Sequence, residues 1–113
     1  MTKEEQEAVK ARGLNRLFVY GIFLGDTMRR SYGMENPRYA TVKNFVTVGS
    51  HIVQAVKVDA ASGVALTGLI VELPEDYNWG PLDALEGGYD RIIVRTESGD
   101  EAYMYATPGT PSR

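Results

Sequence analysis

Short apolar runs, separated by glycine, proline and polar residues, dominate the sequence. The run LFVY at 17–20 is rich in β-forming residues and stops at Gly21, as a buried strand does before a tight turn. Three further extended segments follow, at 40–48, 51–59 and 64–73. Their connections at 49–50 and 60–63 are short enough for hairpins, so the pattern predicts an antiparallel meander.

A two-turn helix and a final hairpin are predicted in the last third of the chain. Pro81 suits the first helical position, because its missing N–H has no intrahelical acceptor there, and Gly87 suits the position after a helix end. The helix is therefore predicted at 81–86, with Leu82 and Leu85 facing the core. The hairpin strands are predicted at 89–96 and 101–107, on either side of a turn at 97–100.

Three segments lack a strand pattern. Residues 21–33 contain repeated glycines and no clear period, which is typical of a loop with about one helical turn. Residues 1–14 contain strong helix formers but almost no apolar face, so they are predicted to be a charged N-terminal helix that depends on a partner, or a disordered extension. The polar stretch 108–113 is predicted to be a disordered tail, which leaves 15–107 as the folded domain.

About six short strands and two or three short helices predict a small α+β fold. Most of the strands are linked as hairpins, so the sheet is expected to be mixed and largely antiparallel. A sheet with so few covering helices protects its edges best by curling toward closure, which predicts a small β-barrel.

Composition limits the chemistry that the chain can perform. Its 113 residues suffice for one compact domain with a modest core. The chain contains no cysteine and one histidine, His51, which alternates with apolar neighbours and is interpreted as structural. Disulfides, thiol catalysis and thiolate metal sites are therefore excluded, and a histidine-rich metal site is not expected. Any chemistry must come from carboxylates, hydroxyls, backbone dipoles or a borrowed cofactor.

Charge and hydropathy narrow the choice of partners. The net charge is −3 and the basic residues are scattered, so nucleic acid is not an expected partner. The nearest approach to a basic cluster is Arg29, Arg30, Arg38 and Lys43, interpreted either as solvated loop charges or as a contact for phosphate or another anion. No run approaches the roughly 20 apolar residues that span a bilayer, and the charged N-terminus contains no secretory segment. We therefore expect no membrane association and a cytoplasmic location.

Glu86 is placed by this pattern in the last turn of the short helix. The helix dipole presents partial negative charge there, with unsatisfied carbonyls rather than donors. Asp83 lies three residues earlier on the same face. If water is also excluded, all three effects raise the pKa of the Glu86 carboxyl toward the range of a general base. The simpler interpretation is an exposed polar residue on a small helix, and these residues alone leave both open.

Five short motifs follow one another between residues 17 and 106. They are VYG at 19–21, TGLIVELP at 67–74, LDxxEG at 82–87, YxR at 89–91 and AxxY at 102–105. In this order the motifs resemble the gamma-glutamylcyclotransferase-like family, of the gamma-glutamylamine cyclotransferase type. The resemblance implies a compact mixed β-barrel with a few helices, and an enzyme that releases 5-oxoproline from gamma-glutamyl amines or peptides.

The resemblance also implies a catalytic residue and a binding turn. Glu86 would be the general acid/base, which takes a proton from the substrate's α-amino group and returns one to the leaving amine. The turn formed by Tyr20, Gly21, Ile22 and Phe23 would bind a carboxylate or a developing oxyanion through backbone N–H groups. No metal or organic cofactor is needed, because the amine attacks its own γ-carbonyl and proximity supplies much of the rate.

The neighbouring residues have alternative interpretations. Tyr105 would offer a hydroxyl to the pocket, or it is an ordinary strand tyrosine, and Gly21 either approaches a ligand or merely turns the chain. Tyr89 and Arg91 are expected to pack and pair rather than react. Trp79 either walls the pocket or packs in the core.

Departures from the family's pattern leave a second function open. The family has a small hydroxyl residue and a leucine where this chain has Ile22 and Phe23, and a longer loop where only Gly87 and Gly88 follow Glu86. The alternative to an enzyme is a non-catalytic module of the same fold that binds or sequesters a small polar ligand or a protein partner. The charged N-terminal helix would suit homo-oligomerisation or the docking of such a partner.

Overall fold

The computed structural model describes residues 15–49 and 54–110, without the side chains of Ile22 and Gln54. Its strands are β1 (Arg16–Val19), β2 (Glu35–Lys43), β3 (Phe45–Val48), β4 (Gln54–Lys57), β5 (Ala65–Glu72), β6 (Asp90–Arg95) and β7 (Glu101–Ala106). The α-helices are α1 (Asp26–Ser31) and α2 (Gly80–Leu85), and short 3-10 helices span Gly21–Leu24 and Ala60–Ser62. The helix predicted within 1–14, the strand residue His51 and the end of the tail at 111–113 lie outside the described residues.

The main sheet has five strands in the order β2-β5-β1-β7-β6, and β3 pairs with β4 in a separate two-stranded sheet. The central strand β1 is antiparallel to β5 and parallel to β7, so the sheet is mixed. The predicted final hairpin is confirmed, because β6 and β7 pair along their whole length. The predicted meander is right only in its first hairpin, in which β3 pairs with β4. Its second hairpin is wrong, because β5 pairs with β2 and β1 rather than with the preceding strand β4.

A left-handed residue explains why the meander fails. Asn44 has a φ of 67°, which asparagine tolerates better than most residues, and it divides the strand predicted at 40–48 into β2 and β3. Its N–H donates to the Val64 carbonyl oxygen (2.9 Å), and its carbonyl oxygen accepts from the Val58 N–H (2.8 Å). The chain therefore turns away from the main sheet at Asn44, and the β3–β4 hairpin is inserted between β2 and its partner β5.

Both faces of the main sheet are buried. Side chains of successive strand residues alternate between the faces, so Leu17 and Val19 join one core cluster while Phe18 joins the other. Phe23 and Leu82, from the helical segments, complete the first cluster. Phe45 and Ala55, from the β3–β4 hairpin, complete the second. Burial on both sides accounts for the uninterrupted apolar run in β1.

The main sheet curls, but among the described strands it does not close into a barrel by strand pairing. Its edge strands are β2 and β6. The N–H of Glu97, in the turn after β6, donates to the Thr41 carbonyl oxygen in β2 (2.8 Å), so the two edges approach each other. The Thr107 N–H, after β7, likewise donates to the Ala55 carbonyl oxygen in β4 (3.2 Å). The α+β class and the mixed sheet are as predicted, whereas the closed barrel is replaced by a curled sheet and a hairpin.

The helical segments differ in detail from the prediction. Residues 21–33, predicted as a loop with one turn, contain a 3-10 helix and α1. Asp26 in the first turn of α1 pairs with Arg30 in the last, an arrangement that stabilises a short helix. In α2, Leu82 is fully buried as predicted, but Leu85 is 44% exposed because the helix ends at this residue. No helix in the described part of the chain is long and apolar enough to cross a membrane.

Candidate active site

Glu86 is the C-cap residue of α2, directly after Leu85, the last residue of the helix. The Glu86 N–H donates to the Leu82 carbonyl oxygen (3.0 Å), which completes the last turn, while its φ of −90° and ψ of 27° leave the helical region. The Glu86 carbonyl oxygen then accepts from the Tyr89 N–H (3.0 Å), so the chain reverses at once into β6. The two glycines after Glu86 permit this sharp turn, since Gly88 has a φ of 94°. The predicted position of Glu86 at the helix end agrees with this geometry.

The Glu86 side chain is half-buried, and this burial raises the pKa of its carboxyl above the ordinary value. Burial favours the neutral acid because a carboxylate loses hydration there. Burial is the cause of this rise, and exclusion of water is one of the three effects expected from the sequence. Asp83, expected to add its charge, is instead engaged with two other side chains.

Tyr20 lies within electrostatic range of Glu86. Its hydroxyl donates to the Tyr105 carbonyl oxygen (2.6 Å) and accepts from the Ala55 N–H (3.1 Å), so it joins β1, β7 and β4. Burial raises the pKa of the Tyr20 hydroxyl, and the negative charge of the nearby Glu86 adds to this rise. Tyr20 is therefore a fixed, neutral phenol within electrostatic range of the Glu86 carboxylate.

The turn that follows Tyr20 is a 3-10 helix, and one of its side chains is part of the core. Gly21 has a φ of 66°, the left-handed conformation that glycine adopts without strain, and it opens the 3-10 helix. The first N–H groups of a helical turn have no acceptor within it. The Phe23 side chain belongs to the core and packs edge-on against Tyr32, with ring centroids 5.6 Å apart. The Arg29 guanidinium stabilises the turn by donating hydrogen bonds to the carbonyl oxygens of Phe23 (2.9 Å) and Leu24 (2.6 Å).

The Tyr105 hydroxyl is hydrogen-bonded to Asp83. It donates to Asp83 Oδ1 at 2.5 Å. Burial is the main cause that raises the pKa of the Tyr105 hydroxyl, and the charges of Asp83 and Glu86 raise it further. Tyr105 therefore links β7 to α2, the helix that ends directly before Glu86.

Arg91 completes this link. Its Nη1 lies 3.7 Å from Asp83 Oδ1, and its side chain is only 9% exposed. The guanidinium carbon lies 4.0 Å from the centre of the Trp79 ring and 5.0 Å from that of Tyr103. Among the described residues, neither Nε nor Nη1 has a hydrogen-bond partner. Arg91 therefore packs and pairs, as expected, and Trp79 follows the core-packing interpretation.

We call the set of Asp83, Arg91 and Tyr105 the anchor cluster. Arg91 and Tyr105 are directly opposite each other on β6 and β7, so their side chains reach α2 from the same face of the sheet. Two features of the sequence could have indicated the anchor cluster. One is an aspartate three residues before Glu86, and the other is an arginine and a tyrosine in two strands predicted to pair. Sequence reasoning missed the cluster because it placed Asp83 beside Glu86. In residues 15–49 and 54–110, no group of three or more His, Cys, Asp or Glu side chains could hold a metal ion.

The arrangement of strands and helices is shared with solved structures. An uncharacterized protein from Pyrococcus horikoshii aligns with a TM-score of 0.66 at 18% identity, over 86% of this chain and 80% of that one. A protein from Arabidopsis thaliana aligns with a TM-score of 0.64 at 19% identity, over 86% and 70% of the two chains. A gamma-glutamyl cyclotransferase aligns with a TM-score of 0.63 at 18% identity, over 88% and 68%. The chain has the gamma-glutamyl cyclotransferase-like fold.

This likeness confirms the resemblance drawn from the motifs at the level of the fold. No protein-family model matches the sequence, and no curated protein matches it either. Within the gamma-glutamyl cyclotransferase-like fold, Tyr20, Glu86 and Tyr105 lie close enough that the charge of Glu86 raises the pKa of both phenols. The structure therefore brings together three residues that are widely separated in the sequence.

Proposed function

We propose that this protein cyclises a gamma-glutamyl amine to 5-oxoproline and releases the free amine, with Glu86 as the general acid/base. The observation that carries the proposal is the half-buried Glu86 carboxyl, whose pKa is raised by burial. A carboxyl of this kind is a better proton carrier near neutral pH than a solvated one. The fold supports the proposal, because one solved protein with this fold is a gamma-glutamyl cyclotransferase.

The reaction needs only proton transfer and correct positioning. The Glu86 carboxylate accepts a proton from the substrate's α-ammonium group, and the freed amine attacks the γ-carbonyl carbon of the same molecule. The carbonyl oxygen becomes an oxyanion in the tetrahedral intermediate. Glu86 then donates its proton to the leaving nitrogen, and the carbon–nitrogen bond to the amine breaks. The attacking nitrogen gives its remaining extra proton to the Glu86 carboxylate, which passes it to the departing amine, so the products are the lactam 5-oxoproline and the protonated amine. Holding nucleophile and carbonyl together within one bound molecule supplies much of the rate.

The turn after β1 is proposed to bind the polar end of the substrate. The backbone N–H groups at the start of the 3-10 helix Gly21–Leu24 lack acceptors within that helix, and such groups stabilise carboxylates and oxyanions. Gly21 has no side chain to block a ligand from this backbone. Tyr20, fixed by two hydrogen bonds, would form the adjoining wall.

The anchor cluster is proposed to position Glu86 without touching substrate. α2 has only six residues, and Leu82 is its one buried side chain. A helix this short has little stability of its own. The bond from Tyr105 to Asp83 and the packing of Arg91 against Trp79 fix it to the sheet, three residues from Glu86.

Incubation with a panel of gamma-glutamyl amines, with detection of 5-oxoproline, tests the proposal. We expect turnover by the wild-type protein and a loss of about 10²- to 10⁴-fold in Glu86→Gln, the usual contribution of a general acid/base. The matched control is Glu75→Gln, which makes the same change at an exposed position before α2 and should leave turnover unchanged. Circular dichroism of both variants would verify that the fold is retained.

A non-catalytic binding module is the second candidate function. It is favoured by Phe23, whose side chain is part of the core where the family has a leucine, and by Ile22 in place of a small hydroxyl residue. Absence of 5-oxoproline across the panel, together with a ligand that raises the melting temperature equally in wild type and Glu86→Gln, would support this candidate against the enzyme.

A further inference from the structure

A cavity of about 340 Å³ lies at the opposite end of the main sheet from Glu86. Glu86 and Tyr89 precede β6, whereas the cavity is lined by Val94 to Glu97 at the end of this strand. Six strand residues separate the two ends by roughly 20 Å. The volume falls in the range of small-molecule sites, about 300–1,000 Å³. Neither the fold nor the proposed reaction assigns a role to this cavity.

Three basic residues line the cavity, each at the end of a different strand. Lys43 ends β2, Lys57 ends β4 and Arg95 ends β6. Within the described residues, none of the three pairs with a carboxylate, whereas Arg30 is paired with Asp26. Arg38, which the sequence grouped with Lys43, is also paired, through Asp100 at 3.6 Å. The basic cluster in the sequence is therefore dispersed by the fold, and a different one is assembled here.

The charge of this cavity differs from that of the protein as a whole. Glu97 is the single acidic residue of the lining, so the three cations leave an excess of two positive charges. The whole chain has a net charge of −3. Like charges gathered in one concavity repel each other, and an anion bound among them removes this repulsion.

The floor of the cavity is apolar. Val42, Phe45 and Val94 line it and belong to the second core cluster, where each is buried. The left-handed Asn44 lies between the first two in the sequence, separates β2 from β3 and also lines the cavity. Apolar walls combined with a few convergent polar groups are typical of small-molecule sites.

We propose that this cavity binds a small molecule that carries a phosphate or carboxylate group on an apolar body. Lys43, Lys57 and Arg95 would contact the anionic group, and the apolar body would lie over Val42, Phe45 and Val94. The site is independent of Glu86 and of the proposed cyclisation.

Titration of the ¹⁵N-labelled protein tests the proposal with four probes: phenyl phosphate, benzoate, inorganic phosphate and phenol. With phenyl phosphate and benzoate we expect saturable amide chemical-shift changes at residues 42–45, 57 and 94–97. At least one of these two probes should bind with an affinity at least tenfold higher than that of inorganic phosphate. Phenol lacks the negative charge, so the shift changes that it causes should not reach saturation. The ratio of phenyl phosphate to benzoate identifies which anionic group is preferred.

Substitutions identify the side chains that bind. Lys57→Ala and Arg95→Ala should each weaken phenyl phosphate about two- to fivefold, the effect of losing one exposed charge contact. Glu97→Gln should strengthen it. Arg30→Ala removes an exposed arginine in α1, and Glu86→Gln alters the proposed active site. Neither substitution should change the affinity for phenyl phosphate. The proposal is overturned if the shifts map to 20–23 and 86, if no probe saturates, or if Arg30→Ala weakens binding as much as Arg95→Ala.

Discussion

Glu86 is a half-buried carboxyl, and its raised pKa links the proposed chemistry to the stability of the fold. The folded protein holds the proton of Glu86 at pH values where the unfolded chain has released it. Between the unfolded and the folded pKa, the native state therefore binds more protons, and stability falls as pH rises. Above both values the buried charge is a constant cost.

Replacement of Glu86 by glutamine should remove this cost. We expect Glu86→Gln to have a higher free energy of unfolding than wild type at pH 7, and the two to converge as the pH falls below the ordinary glutamate value of about 4.3. Urea denaturation at a series of pH values measures the difference. A Glu86→Gln protein that is less stable than wild type at pH 7 would contradict the placement of this carboxyl in a sheltered site.

The same pKa predicts the pH dependence of turnover. The carboxylate form of Glu86 is the base, so kcat/KM should rise with pH through the raised pKa of this group. The acidic limb of the profile should therefore lie above the range of an ordinary glutamate. A profile whose acidic limb is centred at the ordinary value, measured with a good substrate, would argue that another group removes the proton.

At the scale of single elements, α2 depends on one leucine. Leu82 is fully buried, whereas Leu85, three residues later, is 44% exposed. Leu82→Ala should lower the free energy of unfolding by about 2 to 5 kcal/mol, the range for a buried leucine that leaves a cavity. Leu85→Ala is the matched control and should change it by less than about 0.5 kcal/mol. Equal effects in urea denaturation would show that α2 is not seated on the sheet as described.

Strand β5 contains a position at which only glycine fits. A Cβ atom at Gly68 would overlap the Val19 carbonyl oxygen and approach Phe18 Cζ to 2.8 Å. Gly68→Ala should therefore destabilise the protein by about 1 to 3 kcal/mol through overpacking. Gly80→Ala is a suitable comparison, because the nearest atom there is the movable Asn78 Oδ1 at 3.2 Å. Thermal unfolding of both variants measures the contrast, and similar melting temperatures would contradict the close contact of β5 with β1.

At the scale of the whole molecule, the curl of the sheet brings its two edges together. The bond from the Glu97 N–H to the Thr41 carbonyl oxygen (2.8 Å) joins the turn after β6 to β2, which are at opposite ends of the strand order. A curled sheet protects edge groups that an open sheet exposes. The same curl forms the cavity proposed to bind an anion, because residues from β2 and from the end of β6 line it together.

Hydrogen exchange can measure this curl directly. The Glu97 amide should exchange slowly, at rates similar to those of the β6 amides, because its donor is used in a bond between edges. Ser98 follows in the same turn, and its amide, which has no acceptor in the described part of the chain, should exchange quickly. Equally fast exchange at both amides would show that the sheet remains open in solution.

The sequence by itself determined the features that depend on neighbouring residues. Pro81 and Gly87 set the limits of the short helix to within one residue, and the β6–β7 hairpin followed from two apolar runs around a polar turn. The position of Glu86 at a helix end was predictable for the same reason. Helix capping, turn chemistry and side-chain alternation act over a few residues, so they can be read from a local pattern.

The tertiary structure alone decided which distant segments meet. No local signal predicts the pairing of β5 with β2 or the parallel contact of β1 with β7. The same is true of the approach of Tyr105 and Arg91 to Asp83, and of the cavity lining shared by Lys43, Lys57 and Arg95. Strand partners are chosen by how well side chains pack on both faces of the sheet, which is a property of the whole core. The burial that raises the pKa of Glu86 is also a property of that core, because water is excluded only after the distant strands and helices have packed around it.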